Sequence, residues 1–121
     1  MVAAMSRFTI LHNPRCSKSR ETLRLLQENG VEPDVVEYLS APPSEKQFSG
    51  ILSLLDLTPR QVMRTREPEY RDNDMDNPDL SDSQLIKLML QHPKVIERPI
   101  VFTEKNAVIG RPPEKVLELI E

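Results

Sequence analysis

His12-Asn13-Pro14-Arg15-Cys16-Ser17-Lys18-Ser19-Arg20 is the stretch on which the reading of this 121-residue chain turns. On one side of it, Phe8-Thr9-Ile10-Leu11 is a short apolar run that stops at Asn13-Pro14, as a buried strand does. On the other side a helical stretch runs from about Ser17 to Asn29, with Leu23 and Leu26 facing one way and Gly30 suited to the helix end. Val35-Val36-Glu37-Tyr38-Leu39 then reads as a second strand. A strand, a helix and a strand in that order form a crossover, and a crossover predicts that the two strands run parallel.

The middle of the chain changes period. Ser44 and Gln47 are spaced as a capping box, and Phe48, Ile51, Leu52 and Leu55 follow with helical spacing. Thr58-Pro59-Arg60-Gln61 reads as another helix start with proline at the first position. Residues 67–80 are polar and rich in Asp, Asn and Pro, which predicts a surface loop. Ser81 and Gln84 form a further capping box, Leu85, Leu88 and Met89 an apolar face, and His92-Pro93 an end. Strand signals return at Ile100-Val101-Phe102 and Ala107-Val108-Ile109, with Lys105-Asn106 suited to a hairpin turn between them. Gly110-Arg111-Pro112-Pro113 leads to a last helix carrying Val116, Leu117 and Ile120. The order βαβ, helices, ββα predicts an α/β protein with a thioredoxin-like fold and an inserted helical subdomain. The core is expected at about 6–40 and 94–121 and the insertion at about 41–93, all within one domain.

Composition narrows the classes of function. The net charge is -3 with a pI near 5.5, whereas a nonspecific nucleic-acid binder is normally basic. No stretch approaches the roughly 20 apolar residues needed to span a bilayer. The first residues lack the basic and apolar regions of a secretory signal. One cysteine forbids an internal disulfide and fits a reducing compartment, so a cytoplasmic protein is expected. One Cys and two His without ligand spacing do not make a zinc site, and no tightly bound cofactor is expected.

The chemistry concentrates at Cys16. Between a strand and a helix, this residue stands at a helix N-terminus, where free N–H groups and the helix dipole favour negative charge. Arg15, Lys18 and Arg20 add positive charge nearby. Both effects lower a thiol pKa, and the thiolate is the nucleophile. The same geometry cradles oxyanions. Ser19 takes the place of the second cysteine of a Cys-x-x-Cys pair, so a thiol that resolves any adduct must come from outside, glutathione or a glutaredoxin being the natural donors. Ser19 reads equally as a helix cap and as a hydrogen-bond donor to substrate. His12 reads equally as a base or charge partner of the thiolate and as a strand-end residue without a chemical role.

Arginines supply the other half of an anion site, because the guanidinium fork matches oxyanions. Arg60, Arg64 and Arg66 cluster in the middle of the chain. Arg98 precedes Pro99, and Arg111 lies between Gly110 and Pro112. In a thioredoxin-like layout the loop before the third strand approaches the nucleophile loop. Arg98-Pro99 would occupy that loop, with Pro99 as the cis-proline expected there.

Taken in order, His12-Asn13-Pro14-x-Cys16-x-x-Ser19-Arg20, Arg64, Leu90-Gln91-His92-Pro93, Glu97-Arg98-Pro99-Ile100-Val101 and Ile109-Gly110-Arg111-Pro112-Pro113-Glu114 resemble the glutaredoxin-coupled arsenate reductases. The resemblance covers essentially the whole chain, and the wording of residues 14–20 is similar to a housekeeping branch of that family. It implies that Cys16 attacks arsenate and that glutathione adds to the arsenic adduct. Glutaredoxin then completes reduction to arsenite. It implies further that Arg64, Arg98 and Arg111 form the oxyanion site and that His12 helps to keep the thiolate. A monomer is expected. The alternatives are reduction of glutathione mixed disulfides by the same thiol, and a non-catalytic adaptor that binds RNA polymerase, as related regulators do.

Overall fold

The computed structural model describes residues 7–120. They fall into two compact units, residues 7–37 with 98–120, and Tyr38–Glu97.

In the first unit, β1 (Thr9–Leu11) leads through the cysteine loop into α1 (Ser17–Glu28) and then β2 (Asp34–Val36). Gly30, at φ 81°, takes the left-handed turn after α1, a conformation that costs a residue with a Cβ more than it costs glycine. Strands β3 (Ile100–Phe102) and β4 (Ala107–Ile109) complete a four-stranded mixed sheet of order β2-β1-β3-β4. β1 and β2 are parallel, with Ile10 opposite Val35, as the crossover requires. β1 and β3 are antiparallel with Ile10 opposite Val101, and β3 and β4 antiparallel with Val101 opposite Val108. The hairpin turn between β3 and β4 is tied by the Thr103 hydroxyl, which accepts from the Lys105 and Asn106 N–H groups at 3.1 Å each. Ile10, Leu26, Val101 and Val116 form the buried core, with Leu23 and Val108 packed against it. A 3₁₀ turn at Pro113–Val116 packs on α1 and runs into the short helix at Leu117–Ile120.

The second unit is helical. One helix, α2 (Glu45–Leu55), starts where the Ser44 hydroxyl accepts from Gln47 N–H at 3.1 Å. Another, at Asp82–Gln91, starts at a complete capping box of Ser81 and Gln84. They pack together through buried Phe48, Ile51, Leu52, Leu85, Ile86 and Met89.

Three local expectations change. Thr58-Pro59 opens only a 3₁₀ turn, Pro59–Val62, because the chain turns extended at Met63 to bridge Ile96. Arg64 N–H then donates to Val95 C=O at 2.6 Å, and Glu97 N–H to Val62 C=O at 2.8 Å. The polar segment 67–80 is not all loop: Pro68–Asp72 forms a short helix, and Met75 beyond it is fully buried. The second strand is shorter than the apolar run, since the chain leaves the sheet after Val36, with Tyr38 buried and Leu39 exposed.

Candidate active site

Cys16 is the N-cap of α1, with extended backbone at φ -95° and ψ 123°. The loop before it is a closed hydrogen-bonded turn. Cys16 N–H donates to Asn13 C=O at 3.0 Å, and Arg15 N–H donates to the Asn13 side-chain oxygen at 3.0 Å. From the first turn of the helix, the Arg20 guanidinium reaches back to Pro14 C=O at 2.9 Å. The loop is therefore held in shape by its own residues. In the sequence Arg20 counts only as positive charge near Cys16, and no local pattern announces the strap.

The thiol is half-buried, and its pKa lies below the ordinary value. Burial alone pushes it up. The Ser19 N–H, a hydrogen bond and the positive charge of Arg98, and the Lys18 N–H together outweigh burial. In its present rotamer the cysteine side chain makes no well-aligned capping bond, so these donors act on the charge that would develop on sulfur. No acidic residue sits in the first turn of α1 to oppose them.

Ser19 and His12 are both buried and paired. His12 Nδ1 and Ser19 Oγ are 2.6 Å apart, and Asn13 N–H donates to the same oxygen at 3.1 Å. Which of His12 and Ser19 donates depends on the imidazole tautomer. Burial lowers the His12 pKa, Glu37 raises it and Arg20 lowers it again, so the ring stays neutral at neutral pH. A neutral ring lends the thiolate no positive charge. What it holds in place is the Ser19 hydroxyl at the base of the cysteine loop.

Arg98 begins the turn into β3, and its peptide bond to Pro99 is cis. Arg111 follows β4 and donates from Nη1 to Arg98 C=O at 2.9 Å. Its own bond to Pro112 is also cis, which the sequence did not suggest. Cys16, Ser19, His12, Arg98 and Arg111 thus all belong to the α/β unit. Arg64 belongs to the helical unit, where its guanidinium meets Glu97 at 2.9 Å and Glu67 at 3.4 Å. Arg60, from the same sequence cluster, clamps the backbone by donating to Met75 C=O and Asn77 C=O. Among the described residues no group of three or more His, Cys, Asp or Glu could hold a metal ion. No described helix is long and apolar enough to cross a membrane.

A four-stranded mixed sheet with a cysteine at the start of its first helix is a thioredoxin-like α/β architecture. Residues 11–119 match the ArsC family, and the chain belongs to it. It is 46% identical over 112 residues to a protein of Haemophilus influenzae named arsenate reductase, which covers 92% of this chain and 97% of that one. It is 49% identical over 112 residues to the uncharacterized protein YfgD of Escherichia coli K12, at 92% and 94% coverage. Among solved structures, the arsenate reductase from Vibrio cholerae superposes with a TM-score of 0.89 at 45% identity, covering 93% of this chain and 97% of that one.

Proposed function

We propose that the protein reduces arsenate to arsenite, with glutathione and a glutaredoxin as the thiol donors. The observation that carries this reading is Cys16 at the N-terminus of α1 with the Arg98 guanidinium beside its sulfur. The nucleophile and a donor for an anionic substrate then share one position, and a preorganised donor of this kind stabilises charge as it develops.

The Cys16 thiolate attacks arsenic(V), and an arsenic–oxygen bond breaks as water leaves, giving a sulfur–arsenic bond. Glutathione replaces a second oxygen in the same way. A glutaredoxin thiolate then attacks the glutathione sulfur. The sulfur–arsenic electron pair stays on arsenic, which becomes arsenic(III), while the two external thiols leave as a mixed disulfide. Hydrolysis releases arsenite and restores Cys16. Two electrons enter arsenic and two leave the external thiols, so one cysteine in the chain suffices. Arg98 binds the oxyanion and holds the thiolate, Arg111 supports the Arg98 backbone, and His12 fixes Ser19. Arg64 and Arg111 are assigned to the anion site on the family resemblance.

Arsenate-dependent NADPH oxidation, coupled through glutathione, glutaredoxin and glutathione reductase, tests the reading. Turnover is expected from the wild type and none from Cys16→Ser. Absence of turnover in a folded wild type sinks arsenate as substrate. A glutathionylated peptide in the same assay then examines the mixed-disulfide alternative, which the half-exposed lone thiol also supports.

A further inference from the structure

Gly110, between β4 and Arg111, is buried and makes contacts that no side chain could share. A Cβ placed on it would lie 2.6 Å from Thr22 Oγ1, 3.1 Å from Thr22 Cγ2 and 3.0 Å from Pro99 Cγ. The first distance is shorter than any ordinary carbon contact. These neighbours are not flexible tips. Thr22 is fully buried on α1, β-branched, and its hydroxyl donates to Lys18 C=O at 2.8 Å. Pro99 is a ring fixed in the turn into β3.

Three pieces that surround the sulfur meet at Gly110. On one side is the first part of α1, where Lys18 and Ser19 present their N–H groups to Cys16. On another is the Arg98-Pro99 turn, to which Gly110 N–H donates through Pro99 C=O at 2.9 Å. On the third is Arg111, the next residue, bonded to Arg98 C=O. The closeness of these pieces depends on the missing side chain. The φ of Gly110 is not in the left-handed region, so the demand for glycine here is one of space rather than of backbone conformation.

We propose that Gly110 is a positioning residue for the Cys16 site: its bare Cα sets the spacing between the start of α1 and the Arg98-Pro99 turn through direct contact with Thr22 and Pro99. The inference rests on the reading of Cys16 as the nucleophile but not on arsenate as its substrate.

The test is the pH dependence of Cys16 alkylation by iodoacetamide, which needs no substrate, beside circular dichroism and thermal unfolding. In Gly110→Ala the thiol pKa is expected to rise by about half a unit or more, so that alkylation near neutral pH slows about threefold. In Gly110→Ala/Thr22→Ala, two of the three close atoms are gone and the profile is expected to return toward the wild-type one. Gly110→Ala with reduced thermal stability but a wild-type alkylation profile overturns the proposal, since the contact would then be structural only. If Gly110→Ala does not fold, the double variant decides: a folded protein with the wild-type profile supports the proposal. An unfolded double variant, or a folded one with a raised pKa, overturns it. Arsenate turnover of the wild type is scored separately, so failure of that activity leaves this result readable.

Discussion

Arg98 and Ser19 show how single residues make a weak acid reactive. Burial raises the Cys16 pKa, and the net lowering exists only because the Ser19 and Lys18 N–H groups and the Arg98 guanidinium act against it. Arg98→Ala removes the only side-chain contribution among these. The alkylation profile of Cys16 is expected to move to higher pH, with rates near neutral pH falling several-fold, on the order of the tenfold that one pKa unit represents. An unmoved profile would show that the backbone donors suffice. His12 has the opposite kind of consequence. Its folded pKa lies below the reference of about 6.5, so the unfolded chain takes up the proton first as pH falls. The stability that depends on a neutral His12 is complete above that reference and is lost as pH drops toward the folded pKa. Urea midpoints for wild type should therefore fall between neutral pH and about pH 5 by more than they do for His12→Gln.

At the scale of elements, the starts of helices were the most legible features, because a cap is a contact between residues three apart. Ser81 and Gln84 close both halves of the capping box, with Ser81 N–H donating to the Gln84 side chain at 2.8 Å and Ser81 Oγ accepting at 3.1 Å. Ser81→Ala is expected to cost about 1 kcal/mol, read as a lower urea midpoint at unchanged slope. Thr58-Pro59-Arg60-Gln61 carries a similar signal, and Gln61 does bond Thr58 N–H at 2.9 Å. That helix nevertheless ends after one turn, because Met63 pairs with Ile96, thirty-three residues away in sequence. Local spacing reports the cap and is blind to the competing bridge. The helix at Pro68–Asp72 was missed for a related reason: it has no buried residue, so no apolar period announces it.

Across the whole molecule, the sheet is assembled from the two ends of the chain. β1 pairs with β3 across about ninety residues, with the helical unit between them in sequence. The core that ties these ends is small, so each member weighs heavily. Leu26→Ala, at a fully buried position among Ile10, Val101 and Val116, is expected to cost about 2–5 kcal/mol by equilibrium unfolding. A loss under 1 kcal/mol would mean that α1 is not anchored through this residue.

The order of the four strands and the longer helices, the helix caps and Cys16 at the head of its helix could be read from the sequence alone. Each depends on residues within a few positions of one another, and the periods of helix and strand are set by backbone geometry. The tertiary structure alone decided how far those signals run and what surrounds the sulfur. Gly110 against Thr22, Arg111 against the Arg98 carbonyl and Met63 against Ile96 are contacts between segments distant in sequence. No local pattern encodes the distance between two segments, because that distance is fixed only when both are packed against the same core.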